Sequence, residues 1–282
     1  MSRRVRLDAE LVRRGLARSR QHAAELIGAG RVLLDGQRAT KAATQLLPAQ
    51  PVRLLPADQD AAPEYVSRGG HKLAGALDAL GERAPRVRGR RVLDAGASTG
   101  GFTDVLLRRG AAHVVALDVG YGQLDWKLRT DERVTVLDRT NVRTLMPDQV
   151  QPPPELITAD LSFISLTLVL PALLALSADR ADLLLMVKPQ FEVGRERLGS
   201  GGVVREESLR AWAVAEVARC ATGLGAGALA VVPSPLPGPS GNVEYFLHLR
   251  HGAARGAEAL AGEELAEAID TAIRTGPAGA VP

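Results

Sequence analysis

Apolar residues along this chain alternate between two rhythms. Runs of four to seven mainly apolar residues fall at 91–95, 114–118, 134–137, 156–160, 183–188, 228–232 and 243–249. They have the length and composition of buried strands, and helix-spaced segments separate most of them. Such alternation predicts an α/β fold: a mostly parallel, doubly wound sheet of seven strands in a Rossmann-like arrangement. The last run follows a Pro/Gly-rich loop, Pro233–Gly241, so the chain is expected to return there in a hairpin-like way. One uncharged stretch, Leu161–Ala178, approaches the length of a membrane span but contains Ser162, Ser165, Thr167, Pro171 and Ser177. It reads as a buried core segment. From Ala253 onward an Ala/Glu-rich tail predicts one amphipathic helix and then a frayed end.

The first fifty-odd residues follow another plan. Leu7, Leu11 and Val12 suit one face of a short helix ending near Gly15. Ser19 can cap a second helix that turns Ala23, Leu26 and Ile27 inward, with Gly30 closing it. Arg31–Leu34, the turn pair Asp35-Gly36 and Val52–Leu55 then predict a hairpin and a late strand. Two helices followed by a small sheet, with the stretch Ala-Gly-Arg-Val-Leu-Leu-Asp-Gly at 29–36, resemble the S4-type RNA-binding fold over roughly residues 5–55. The predicted organisation is an α+β S4-like domain at 1–56, a linker at 57–66, a catalytic domain at 67–252 and a C-terminal helix and tail at 253–282.

Charge sharpens this division. The 282-residue chain has a formal net charge of only +3, yet residues 1–91 hold 18 Lys/Arg against 9 Asp/Glu while the remainder holds 17 against 23. A basic front end on a mildly acidic body points to a polyanion-binding module fused to something else. The single cysteine, Cys220, excludes an intramolecular disulfide framework and argues against a thiolate metal site. It lies in a helical pattern and is expected to be a buried structural thiol. The start, Met1-Ser-Arg-Arg-Val-Arg-Leu-Asp, lacks the apolar region of a signal peptide, so a cytoplasmic location is expected.

Candidate chemistry begins where the first long strand ends, in Asp94-Ala-Gly96-Ala-Ser98-Thr-Gly100-Gly101-Phe-Thr. Glycines here let the backbone turn sharply beside a ligand at the carboxyl edge of the sheet. The spacing is not that of a dinucleotide fingerprint, and Asp94 would repel a pyrophosphate. It suits a ligand with an ammonium and a sulfonium, such as S-adenosylmethionine. Asp118, ending the next strand, is placed to accept ribose hydroxyls, and Asp138, ending the third, to reach the adenine side. Gly96, Ser98 and Gly100 complete this expected cofactor set, with Asp160 beside it.

Four ionisable residues are expected to converge on that edge: Lys72 in Ser67-Arg-Gly-Gly-His-Lys72-Leu, Asp160 and Lys188 at two strand ends, and Glu244 in Gly241-Asn-Val-Glu244-Tyr-Phe. They resemble the Lys-Asp-Lys-Glu tetrad of FtsJ-like RNA ribose methyltransferases. The strings Ser-Arg-Gly-Gly-His-Lys-Leu, Ala-Asp-Leu-Ser-Phe-Ile-Ser, Val-Lys-Pro-Gln-Phe-Glu and Pro-Gly-Pro-Ser-Gly-Asn-Val-Glu-Tyr-Phe, with the glycine loop, resemble the TlyA (hemolysin A) family over nearly the whole chain. The resemblance implies S-adenosylmethionine-dependent 2'-O-methylation of cytidine in 16S and 23S ribosomal RNA at the subunit interface. It departs at Pro63-Glu64-Tyr65-Val66, where the family usually has Arg-x-Trp-Val. A ribose hydroxyl is a weak nucleophile until its proton leaves. Two neighbouring lysines would push one toward the neutral amine, here assigned to Lys188, while Lys72 stabilises the oxyanion and Asp160 and Glu244 orient both. No metal is required.

Expected RNA contacts are Arg4, Arg6, Arg18, Arg20 and Lys41 in the small domain and Arg68, Arg139 and Arg195 in the large one. Phe163 suits either stacking on an extruded cytosine or a place in the core. The expected partner is ribosomal RNA or a ribosomal subunit, with no membrane and a monomer assumed. Two rival classes are a pore-former, which only Leu161–Ala178 could support, and an RNA-binding assembly factor with no cofactor.

Overall fold

The computed structural model describes residues 4–55, 64–252 and 259–277. The linker expected at 57–66 falls largely outside them, as do the junction at 253–258 and the end of the tail. The chain divides into two units, residues 1–64 and 65–282.

In the small unit, β1 (Val5–Arg6) leads into α1 (Leu7–Arg13) and α2 (Arg20–Gly28). Ser19 caps α2 by accepting from the His22 N–H at 3.1 Å, as its side-chain chemistry predicts. The turn at Asp35-Gly36 joins β2 (Val32–Leu34) to β3 (Gln37–Arg38), and β5 (Val52–Leu54) pairs antiparallel on the other side of β2. Two strands of two residues, β1 and β4 (Gln45–Leu46), pair with each other. They are too short to carry a hydrophobic rhythm and went unpredicted. Leu7, Leu11, Leu26, Ile27, Val32 and Leu46 form the core of this unit.

The large unit opens with α3 (Arg68–Leu80), which carries Lys72 on its first turns. Then come β6 (Arg91–Ala95), α4 (Gly101–Arg108), β7 (His113–Leu117), α5 (Trp126–Arg129), β8 (Val134–Leu137) and β9 (Leu156–Ala159). These are followed by α6 (Leu170–Leu176), β10 (Asp182–Val187), α7 (Pro189–Glu192), α8 (Glu207–Gly223), β11 (Ala226–Pro233), β12 (Tyr245–His251) and α9 (Gly262–Thr275). The strands form one sheet in the order β11-β12-β10-β9-β6-β7-β8. The pairs β6–β7, β7–β8, β6–β9 and β9–β10 are parallel; β12 runs against both β10 and β11. This is the mostly parallel, seven-stranded Rossmann-like sheet predicted from the sequence, with β12 as the expected return.

Apolar cores cover both faces of the sheet, one including Leu93, Ile157, Leu170, Leu185 and Tyr245, the other Leu73, Leu77, Phe102, Leu106, Met186 and Phe246. The stretch after Asp160 folds as a loop and then α6, with Leu166, Leu170, Leu173 and Leu174 buried in the first core. The longest helix in Leu161–Ala178 is thus the seven-residue α6, and among the described residues no helix is long and apolar enough to cross a membrane. Cys220 is half-buried on α8, less enclosed than expected. The parallel register sets the carboxyl ends of β6, β9 and β10 side by side. Because β12 is antiparallel to β10, with Tyr245 opposite Val187, Glu244 enters the same edge from the other direction.

Candidate active site

At that edge the four predicted residues form two ion pairs. Lys72 Nζ lies 2.5 Å from Glu244 Oε2, with both side chains almost wholly buried. Lys188 Nζ lies 2.6 Å from Asp160 Oδ1 and donates to Ser162 Oγ at 3.0 Å. The Asp160 contact is close but lacks hydrogen-bond angles, since Oδ1 has no hydrogen-bond partner. Each lysine thus faces a carboxylate. The expected lysine–lysine repulsion is offset by two negative charges, and the formal charge of the group sums to zero. Ser162 was not foreseen as a partner of Lys188, although the Ala-Asp-Leu-Ser string put it in view.

The glycine loop joins this cluster directly. Gly96 has φ +84°, and a Cβ there would sit 2.6 Å from the Asp160 carbonyl oxygen. Both conditions demand glycine. The Gly96 and Ala97 N–H groups donate to Leu117 O, and Asp160 N donates to Ala95 O, so the ends of β6, β7 and β9 are tied together through the loop. Gly100, at φ +98°, starts α4. Ser98 also takes a positive φ, and its N–H donates at 2.8 Å to Asp118 Oδ2, while Asp118 Oδ1 accepts from Gly120 N at 2.7 Å. A carboxylate has about four acceptor positions, so Asp118 keeps capacity for a ribose diol. Asp138 accepts from Arg129 and from Gly122 N, with its Oδ2 taken by both.

Asp94 stands differently from the expectation. It is fully buried, its two oxygens accepting from the hydroxyls of Thr103 at 2.7 Å and Thr158 at 3.1 Å. It supports the loop from beneath and offers no open face to a ligand. Burial pushes its carboxyl up to about 7, the two hydroxyls pull it down less, and the charge of Asp160 adds to the rise. An acid raised in the folded state stabilises the fold below its unfolded value near 4 and loses that contribution as pH climbs through about 7. Asp94→Asn is therefore expected to gain stability over the wild type as pH rises from 5 through about 7, by up to a few kcal/mol, and to melt correspondingly higher. Melting curves of both proteins across that range check this, and parallel pH profiles would contradict it.

Several RNA candidates carry structural duties. Arg6 and Arg20 both bind the buried carboxylate of Asp8, at 2.9 and 3.0 Å, and the Arg6 hydrogen bond is the first cause of the lowered Asp8 pKa. Arg68 donates to Pro237 O at 3.2 Å. Arg18 lies 4.0 Å from Glu64, which also meets His22 at 2.7 Å. Arg4, Lys41 and Arg195 are exposed. Arg139, also exposed, lies over the Tyr121 ring at 4.2 Å. Phe163 is 90% exposed with φ +65°, so the core alternative is excluded. At the altered linker position Tyr65 is buried, edge-on to His71 and beneath the Arg108 guanidinium.

A methyltransferase sheet whose cofactor edge carries two lysine–carboxylate pairs defines the class, and residues 65–251 match the FtsJ-like methyltransferase family while residues 5–52 match the S4 domain. The chain belongs to the TlyA family within that class. A relative from Mycobacterium tuberculosis named 16S/23S rRNA (cytidine-2'-O)-methyltransferase TlyA is 57% identical over 98% of this chain and 100% of its own length. Hemolysin A of Brachyspira hyodysenteriae is 34% identical over 86% of this chain and 99% of its own. A solved structure of a hemolysin-named protein from Streptococcus thermophilus superposes with a TM-score of 0.73 at 35% identity, covering 97% of each chain. The protein is accordingly a methyltransferase whose methyl donor is S-adenosylmethionine. The acidic residues at the ends of β7 and β8, and a glycine loop with no lysine or arginine for phosphate, fit that cationic nucleoside.

Proposed function

We propose that the protein methylates the ribose 2'-hydroxyl of cytidines in 16S and 23S ribosomal RNA, at the subunit interface. The observation that carries this reading is the pair of lysine–carboxylate contacts set against the glycine loop on one sheet edge. The name of the Mycobacterium tuberculosis relative supports the cytidine and both RNAs.

Lys188, acting as the neutral amine after releasing its own proton to solvent, takes the hydroxyl proton as the oxygen–carbon bond forms, and Asp160 and Ser162 hold its Nζ in line. Lys72, held by Glu244, stabilises the charge developing on that oxygen. Bound S-adenosylmethionine would supply an electrophilic methyl on a sulfonium whose leaving group is a neutral thioether, so this chain need provide no acid there. Asp118 would hold the cofactor's ribose hydroxyls, Gly96, Ser98 and Gly100 would shape the loop around it, Asp138 would serve the adenine side, and Asp94 supports the loop from below. Phe163, exposed three residues after Asp160, stacks on the extruded cytosine. The reaction is cytoplasmic, with the chain acting as a monomer on ribosomal RNA or a subunit.

Mapping 2'-O-methyl marks on both ribosomal RNAs, with and without the protein, tests the reading. Marks confined to one RNA would narrow it, and no protein-dependent mark would overturn it. Docking needs its own variants, because neutralising Arg6 and Arg20 would also leave Asp8 buried and unpaired. Replacing exposed Arg4 and Lys41 by alanine is expected to weaken RNA binding and to lower its salt slope by about one for each phosphate no longer neutralised, with unchanged melting temperature. Titrations at several salt concentrations check this. An unchanged slope would show that neither residue meets a phosphate.

A further inference from the structure

The loop after Asp160 is fastened to the turn after Lys188 at three successive points. Ser162 Oγ accepts from Lys188 Nζ at 3.0 Å. The Phe163 ring meets that of Phe191, with centroids 5.2 Å apart and planes at 49°. Beyond them, Glu192 Oε1 accepts from the Leu166 N–H at 2.9 Å, and Oε2 accepts from Ser165 Oγ at 2.5 Å. Ser165 in turn caps the short helical turn at Leu166–Leu168 by accepting from Thr167 N.

This fastening has something to hold. Phe163 sits at φ +65° with 90% of its surface exposed. A bulky residue in the left-handed region is strained, and it persists only where its surroundings over-determine it. The ring gains little from burial, so the geometry must be imposed by contacts on either side in the chain. Asp160 and Ser162 secure the loop's start through Lys188, and the Glu192 carboxylate secures its end. Glu192 is itself only half-buried, and burial raises its carboxyl above the ordinary range while the two donors oppose the rise.

We infer that Glu192 is a positioning residue: it clamps the 162–166 loop so that Ser162 stays on Lys188 and Phe163 stays presented to the substrate base. Its contacts are with Ser165 and Leu166, and it acts through the loop. The role of Phe163 within this inference rests on the ribose-methyltransferase reading above; the clamp itself does not.

The first test needs no substrate. Amide hydrogen exchange in the 162–168 segment is expected to quicken at least tenfold in Glu192→Ala. In Glu192→Gln it should stay near the wild-type rate, since the amide can still accept from Leu166 N and donate to Ser165 Oγ. Unchanged exchange in Glu192→Ala would overturn the clamp whatever the enzyme methylates. The second test uses ribosomal RNA and subunits as substrates. Glu192→Ala is expected to lower kcat/KM for RNA about tenfold to a hundredfold while S-adenosylmethionine affinity changes less than about twofold, and Glu192→Gln should restore most of the loss. In a Phe163→Ala background the Glu192→Ala loss should shrink, because both act on one element. Equal losses in the Ala and Gln variants, tracking melting temperature, would reduce Glu192 to a general structural role. If Phe163→Ala alone kept full activity while Glu192→Ala lost it, the base-stacking reading would fail and the clamp would stand through Ser162 and Lys188.

Discussion

Lys188→Ala is expected to reduce methyl transfer by about a thousandfold or more while S-adenosylmethionine and RNA still bind, the scale of loss when a positioned proton acceptor is removed. The amine sits at the end of an all-buried strand, 2.6 Å from Asp160 and 3.0 Å from Ser162. It has been brought into the interior with its own counter-charge and a hydroxyl to aim it, and nothing in the packing of β10 needs a charge there. Removing it leaves Asp160 without its paired cation, so some stability is lost too. Asp160 keeps 23% of its side chain exposed, which limits that cost. Single-turnover rates with saturating RNA and cofactor separate the two effects. A variant that folds, binds both ligands and still reacts within tenfold of the wild type would remove Lys188 from the proton transfer.

Most of the frame around that lysine was legible in the sequence because burial on both faces leaves an unbroken apolar run, and such runs mark strands whatever surrounds them. Of the seven predicted strands, 91–95 and 134–137 match the observed bounds, and the rest shift by one or two residues at their ends, where hydrogen bonding rather than hydrophobicity decides. The convergence of Asp160, Lys188 and Glu244 was legible for the same reason, since strand ends share an edge, whereas Lys72, on α3, joined them only through the tetrad resemblance. How each charge is spent was not. That Asp94 would lie sealed under Thr103 and Thr158 depends on a partner 64 residues away. Arg6 and Arg20 look alike as basic residues at the starts of the two short helices, yet both bind Asp8, and only the fold brings Arg20 to it. Phe163 left two readings open because a positive φ leaves no trace in hydrophobic spacing. Glu192 stood out only as the last residue of a motif. Its two donors lie on another loop 26 and 27 residues earlier.

The second large effect concerns the Lys72–Glu244 pair, where stability and activity should part company. Lys72 and Glu244 keep only 8% and 2% of their side-chain surface exposed. Removing one partner of such a pair leaves the other buried and uncompensated, at a cost of about 3–5 kcal/mol, whereas replacing both with apolar residues of similar size is often neutral. Glu244→Leu and Lys72→Met are each expected to lower the melting temperature by several degrees. The double variant should melt closer to the wild type than either single one. The room for this is specific: a Cβ on Gly238 would lie 2.7 Å from Glu244 Oε1, so the carboxylate is closely packed and a leucine must shift that loop slightly. Catalysis should not follow stability. All three variants are expected to transfer methyl at least about a hundredfold more slowly, because the double variant regains packing without regaining a cation at the oxyanion. Thermal melts and single-turnover rates on the same four proteins decide the matter. If the double variant recovered activity together with stability, Lys72 would be an internal ion-pair partner only, and the charge on the reacting oxygen would have to be met elsewhere on the sheet edge.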